Sequence, residues 1–180
     1  LAEELSALGA EVTLISGPTS LSLKNQAIAR IDVNSAEEML NAALSHFPGS
    51  DISILSAAVA DYKPRDVSTV KIKKKSDEFE LSLIRTKDIL ATLGSKKKQG
   101  QILVGFALET NDEEANAIEK LQRKNLDFIV LNSMNDQGAT FRNDNNKITI
   151  IDRDLNKQVF DLKPKDQVAA DICKKVLDLL

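Results

Sequence analysis

Two hydrophobic periods alternate along this chain. Continuous apolar runs at Asp51 to Ser56 (DISILS), Gln101 to Leu108 (QILVGFAL) and Asp127 to Asn132 (DFIVLN) read as buried strands. Each run ends in small or polar residues: Ala57, Ala58 and Ala60 after the first, Glu109 and Thr110 after the second, Asn132 itself in the third. Glu11 to Ser16 (EVTLIS) is a further strand stopped by Gly17 and Pro18, and Ala27 to Val33 alternates like another. Helical spacing fills the intervals. Ala36 to Phe47 puts Met39, Leu40, Ala43, Leu44 and Phe47 on one face, with Asn34 or Ser35 as cap and Glu37 and Glu38 in the first turn. Thr86 is expected to cap a helix over Lys87 to Ser95. Asn111 is expected to cap a long helix over Asp112 to Asn125, which carries Lys120, Arg123 and Lys124 at its end. Asp166 to Leu180 is a final amphipathic helix. Glu80 to Ile84 reads as a strand, and Lys147 to Asp152 with Gln158 to Leu162 as a hairpin. Thr19 to Gln26 and Met134 to Asn146 read as loops.

Strands that alternate with helices predict a three-layer, Rossmann-like α/β fold. Its sheet is mostly parallel, with helices on both faces and a C-terminal antiparallel portion. Ligands of such sheets bind at the carboxyl ends of the strands, which here means Ser56 to Asp61, Phe106 to Thr110 and Asn132. Leu1 to Leu8 reads as a helix already under way, with Gly9 as its stop. The expectation is one domain over 1–180 that lacks its N-terminal strand and glycine-rich segment.

Composition narrows this. The chain has 180 residues and 42% hydrophobic content, enough for one domain with a real core. A net charge of -3 argues against a general nucleic-acid binder, so any anion site is local. With one cysteine, Cys173, and one histidine, His46, a disulfide framework and a zinc cluster are both excluded, and a cytoplasmic setting fits. No apolar run reaches the roughly 20 residues of a membrane span, and no signal peptide is visible. The chemistry concentrates between Asp51 and Lys75. A buried strand gives way to small residues that let backbone N–H groups approach a phosphate. Then come Asp61, Tyr62 and Pro64, followed by Lys71, Lys73, Lys74 and Lys75. This mixture suits an anionic ligand, a nucleotide with a metal ion. The plainer alternative is a tight turn followed by a solvated basic strand.

Several stretches together resemble the phosphopantothenoylcysteine synthetase family, the ligase domain of the bacterial coenzyme A biosynthesis flavoprotein. They are Gly9 to Pro18 (GAEVTLISGP), Ala57 to Pro64 (AAVADYKP), Lys71 to Lys74 (KIKK), Lys87 to Leu90 (KDIL), Gly105 to Thr110 (GFALET) and Lys120 to Asn132. The Asp144-Asn145-Asn146 turn also matches. The resemblance implies ligation of 4'-phosphopantothenate to cysteine through an acyl-cytidylate made from CTP with Mg²⁺. It implies nucleotide contacts from Leu55, Ser56, Ala57, Asp61, Lys71, Lys87, Asp88, Ile89, Leu90, Phe106, Lys120 and Lys124. Lys71 would be the functional lysine, Lys87 to Leu90 a helix N-terminus for an anion, and Phe106 a surface for the base. Lys87 stands where the family commonly has proline. A homodimer is implied, with apolar positions around Glu80 to Ile84 contributing, and a decarboxylase domain, fused or separate, would bring FMN. The family's glycine-rich segment with a functional asparagine has no counterpart here before Leu1, so no residue takes that role.

Bland readings stand beside these. Asp61 would otherwise cap a turn, Phe106 fill the core, and Lys120 and Lys124 complement the helix dipole. Lys73, Lys74 and Lys75 read as a solvated flap, and His46 and Cys173 receive no role. Two rival functions are a Rossmann-like NAD(P)-binding oxidoreductase fragment and a non-catalytic nucleotide-binding or dimerisation domain. The first needs a GxGxxG fingerprint, and none occurs in these residues.

Overall fold

The computed structural model describes residues 1–73, 78–133 and 144–180. In chain order the elements are α1 (Ala2–Ala7), β1 (Thr13–Ser16), β2 (Ala29–Asp32), α2 (Ala36–His46), β3 (Ile52–Leu55), β4 (Tyr62–Pro64), β5 (Leu83–Arg85), α3 (Ile89–Gly94), β6 (Ile102–Glu109), α4 (Glu113–Arg123), β7 (Phe128–Ser133), β8 (Asn145–Asn146), β9 (Ile148–Asp152), β10 (Lys157–Val159), β11 (Lys163–Pro164) and α5 (Lys165–Leu177). A 3₁₀ turn, Phe47–Gly49, follows α2, where Pro48 cannot continue an α-helix.

The central sheet has five strands in the order β10-β9-β7-β6-β3. β3, β6 and β7 run parallel, with Leu55 opposite Gly105 and Phe106 opposite Val130. β9 and β10 extend the sheet antiparallel. β1 and β2 form a separate parallel pair, with Ile15 opposite Ile31. The alternating side chains of the sheet feed two cores. On one face Leu103, Ala107, Ile129 and Leu131 meet Leu40, Leu90, Leu93, Ala117 and Leu121 from α2, α3 and α4. On the other, Val104, Phe128, Val130 and Ile150 meet Val168, Ile172 and Val176 from α5. Three layers result, as the sequence predicts.

The periodic segments fold where their pattern places them, with ends shifted by one to three residues, but several expectations are corrected. β3 is half-buried rather than buried, because among the described residues it pairs only with β6 and sits at an edge. The strand expected at Glu80 to Ile84 is Leu83–Arg85, and its partner is Tyr62–Pro64, which the sequence reading left unassigned. Thr86 does not cap α3. Asp88 does, its side chain accepting from the Ala91 N–H at 2.9 Å. Lys87 and Asp88 therefore lie before the helix. At α4 the cap position falls on Asp112, with φ 46°, rather than Asn111, whose carbonyl instead accepts from Asn116. Residues 134–143 of the Met134-to-Asn146 loop, and Lys74 and Lys75 of the basic run, lie outside the described residues.

The two ends of the sheet are built differently. At the amino end, Asp127 accepts from Lys97 at 2.7 Å and from the Leu103 N–H at 2.6 Å, and pairs with Arg153 at 3.2 Å. This partly buried knot ties β6, β7 and the β9–β10 turn together. The carboxyl end is left to loops.

Candidate active site

At the carboxyl end of β3 the chain turns into Ser56, Ala57, Ala58, Val59, Ala60 and Asp61. All are exposed except Val59, which rests on the core beneath α2 and α3. Four of the six are small, so the backbone of this loop is open to a ligand. Two bonds from one residue hold its far end. Thr86 donates its N–H to the Asp61 carbonyl at 2.9 Å and its hydroxyl to the Ala60 carbonyl at 2.7 Å. Sequence reasoning missed this, since nothing local links residues 26 positions apart.

Next along the sheet, Gly105 lets α3 approach β6. A Cβ there would lie 2.7 Å from Leu90 and 2.8 Å from Leu126. The side chains of Ile89 and Leu90 are accordingly core, at 6% and 7% exposure. Their side chains are therefore unavailable to a ligand, and only their backbone could serve one. The N-terminus of α3, six residues long, is already occupied by the Asp88 carboxylate. The other Asp88 oxygen pairs with Lys124 Nζ at 2.7 Å. Burial opposes the Asp88 charge. Hydrogen bonds from the Ala91 N–H and Lys124, and the charges of Lys124 and Arg123, prevail and hold its pKa below the ordinary carboxylate value.

Lys120 in the last turn of α4 and Lys124 at its C-cap, four residues on, face this edge. Lys124 is nearly buried and compensated by Asp88. Lys120 donates to the Phe106 carbonyl at 2.9 Å. Burial, reinforced by the Lys124 charge, pushes the Lys120 ammonium below its ordinary pKa, while Glu109, Asp88 and Asp61 act in the opposite sense. The same electrostatics show which groups gather: Asp61 from the β3 loop, Asp88 before α3, Glu109 at the end of β6, Lys120 of α4 and Lys124 at its C-cap. In the sequence Glu109 entered only as part of the Phe106-to-Thr110 strand end, with no role of its own.

Phe106 is half-buried beside the α5-side core. Asn132, opposite Leu108 at the end of β7, buries its Oδ1 with no hydrogen-bond partner among the described residues. Lys71 is exposed and lies outside any strand or helix. Lys87 stands close enough to Glu37 for its charge to act on that carboxylate, and Glu37 also accepts from Lys63 at 2.8 Å. Among the described residues, no three His, Cys, Asp or Glu side chains could together hold a metal. Cys173 is buried in the α5 core, and burial pushes its thiol pKa up, so it is inert. No helix among the described residues is long and apolar enough to cross a membrane.

The whole chain, residues 1–180, matches the family described as the DNA/pantothenate metabolism flavoprotein C-terminal domain. It is 53% identical over all 180 residues to 50% of a "Cysteine/Cysteine sulfinic acid decarboxylase" from an unknown prokaryotic organism. It is 46% identical over 179 residues, 99% of the chain, to 44% of the Coenzyme A biosynthesis bifunctional protein CoaBC of Bacillus subtilis (strain 168). The chain thus spans about half the length of the curated relatives it matches. The crystal structure of the C-terminal domain of a CoaBC protein superimposes with a TM-score of 0.80 at 38% identity, covering 97% of this chain and 77% of that one.

Proposed function

Because this chain belongs to the DNA/pantothenate metabolism flavoprotein C-terminal domain family, we propose that it is the ligase portion of a coenzyme A biosynthesis enzyme. Its substrates would be 4'-phosphopantothenate, cysteine and CTP. The observation that carries this reading is the gathering of Asp61, Glu109, Lys120 and Lys124 at the carboxyl edge, to which the loop of small residues after β3 also belongs. Such an edge offers cations for a polyphosphate and open backbone for its nucleoside.

In the first step a carboxylate oxygen of 4'-phosphopantothenate attacks the α-phosphorus of CTP, and pyrophosphate leaves. In the second, the cysteine amine attacks the acyl carbon, loses a proton, and CMP leaves with the bonding pair. Both steps need negative charge neutralised where it develops. Lys71 serves the reacting phosphate, and Lys120 and Lys124 the polyphosphate. Backbone groups of Leu55, Ser56, Ala57 and Lys87 to Leu90 meet the nucleotide, and Phe106 meets the base. Mg²⁺ would enter on the triphosphate and take at most one or two carboxylates, with Asp61 and Glu109 at this edge available to it. That fits a site without a three-ligand cage among the described residues.

Among the described residues β1 pairs only with β2 and β3 only with β6, which leaves room for a further strand in this domain. FMN would belong to a separate decarboxylase domain, in keeping with relatives of twice this length. A second copy of the chain is the partner we assign to the β4–β5 arm, where Tyr62, Val67, Val70, Phe79 and Leu83 are each more than half exposed. A cytoplasmic location completes the reading.

The test is to incubate the complete protein with CTP, Mg²⁺, 4'-phosphopantothenate and cysteine. Release of CMP and pyrophosphate with formation of the amide is expected. Carbon dioxide from cysteine without CTP consumption would favour the decarboxylase name of the first relative.

A further inference from the structure

Thr86 stands at a junction. On one side it follows β5, where Arg85 is opposite Tyr62. Its N–H bond to the Asp61 carbonyl, 2.9 Å, continues that antiparallel ladder by one step. On its other side come Lys87 and Asp88, and Asp88 joins the start of α3 to Lys124. The hydroxyl bond to the Ala60 carbonyl, 2.7 Å, is not part of any ladder. It fixes the peptide that precedes Asp61. The rest of that loop is otherwise anchored by Val59, since its remaining side chains are exposed. Threonine suits the position because β-branching restricts χ1, so the hydroxyl is held toward Ala60.

We propose that Thr86 is a positioning residue for the nucleotide. By gripping the Ala60 and Asp61 carbonyls together, it holds the small-residue loop open and aims the Asp61 carboxylate toward the group that Lys120 faces. The assignment rests on the ligase reading above. It adds a residue that touches no substrate itself and acts through Asp61. Its bonds also join the β3 loop to the Asp88–Lys124 pair, so the two halves of the nucleotide edge are spaced by one short segment, Thr86 to Asp88.

The test uses the complete protein with Thr86→Val, which keeps the shape and removes the donor, and Thr86→Ser, which restores it. Thr86→Val is expected to raise KM for CTP about five- to tenfold, the scale of one lost hydrogen bond, with a smaller change in kcat. Amide hydrogen exchange at residues 57–61 should quicken while that of β6 and β7 stays unchanged. Thr86→Ser should return both toward wild type. In an Asp61→Asn background, Thr86→Val should cost little more, because the two act in series. Unchanged exchange and KM in Thr86→Val, or a full additive loss in the Asp61→Asn background, overturns the assignment alone. Wild-type protein that binds no CTP overturns the ligase reading, and the assignment with it.

Discussion

Lys71 and Lys120 are both lysines at one edge, yet their surroundings make them different reagents. Lys71 is exposed and lies outside any strand or helix. Replacing it should therefore cost the fold little, within about 0.5 kcal/mol. If it meets the reacting phosphate, Lys71→Gln should lower kcat by about 10²-fold or more. A chemical denaturation curve beside a product assay separates the two, and wild-type turnover would remove Lys71 from the chemistry. Lys120 is the opposite case. Its depressed pKa means that the free protein loses this proton at lower pH than an ordinary lysine, 10.5. The unfolded chain holds more protons in that window, so this group's contribution to stability rises with pH through it. A bound polyphosphate favours the charged form, so CTP binding should take up a proton in the alkaline window below 10.5, and affinity should fall as pH rises there. Calorimetric titration in two buffers of different ionisation heat checks this. Identical apparent enthalpies throughout would show that Lys120 does not meet the anion.

The elements α3 and α4 are pressed together, and the site depends on it. A Cβ on Gly94 would lie 1.9 Å from the Lys124 carbonyl oxygen and 2.8 Å from its carbon, both backbone atoms that cannot swing aside. That contact seats the end of α4 on α3, with the Asp88–Lys124 pair alongside. Gly94→Ala should destabilise the protein by about 3 kcal/mol, at the upper end for overfilling a close contact. The loss should show in a urea midpoint. If the urea midpoint were unchanged, the helices would be less tightly seated than the distances say. The pattern of apolar positions in α3 and α4 was readable, because it follows from helical geometry alone. Their closeness was not, because Gly94 and Lys124 meet only in the folded chain.

At the scale of the whole molecule, the described surface is uneven. The segments flanking and forming the β4–β5 arm expose Val67 at 83%, Val70 at 74% and Phe79 at 68%. Apolar side chains gathered this openly on one arm are characteristic of an interaction surface. Sedimentation velocity at micromolar concentration should find a dimer, and Phe79→Glu should convert it to monomer with secondary structure retained. A wild-type monomer at those concentrations would remove the second copy from the reading. The arm itself was half visible in the sequence. Leu83–Arg85 carries an alternating pattern, whereas Tyr62–Pro64 is short, polar at its centre and exposed throughout, so it has no periodic signal of its own.

Local pattern by itself determined much of this protein. It set the strands at Ile52–Leu55, Ile102–Glu109 and Phe128–Ser133, the helices between them, and the edge at which their small and polar residues end. Burial of an apolar face is written into residue spacing, and so it can be read without a fold. Asp61 and Phe106 were legible for the same reason, as residues next to such an edge, whereas Lys120 and Lys124 became candidates only through the family resemblance. Tertiary structure decided which of them meet and on what terms. It gave the cap of α3 to Asp88 in place of Thr86, and tied Asp88 to Lys124. It lowered the Lys120 pKa by burial and turned Thr86 onto the Ala60 and Asp61 carbonyls. Hydrogen bonds and charge pairs between distant segments depend on where the backbone brings them. No spacing along the chain encodes that placement.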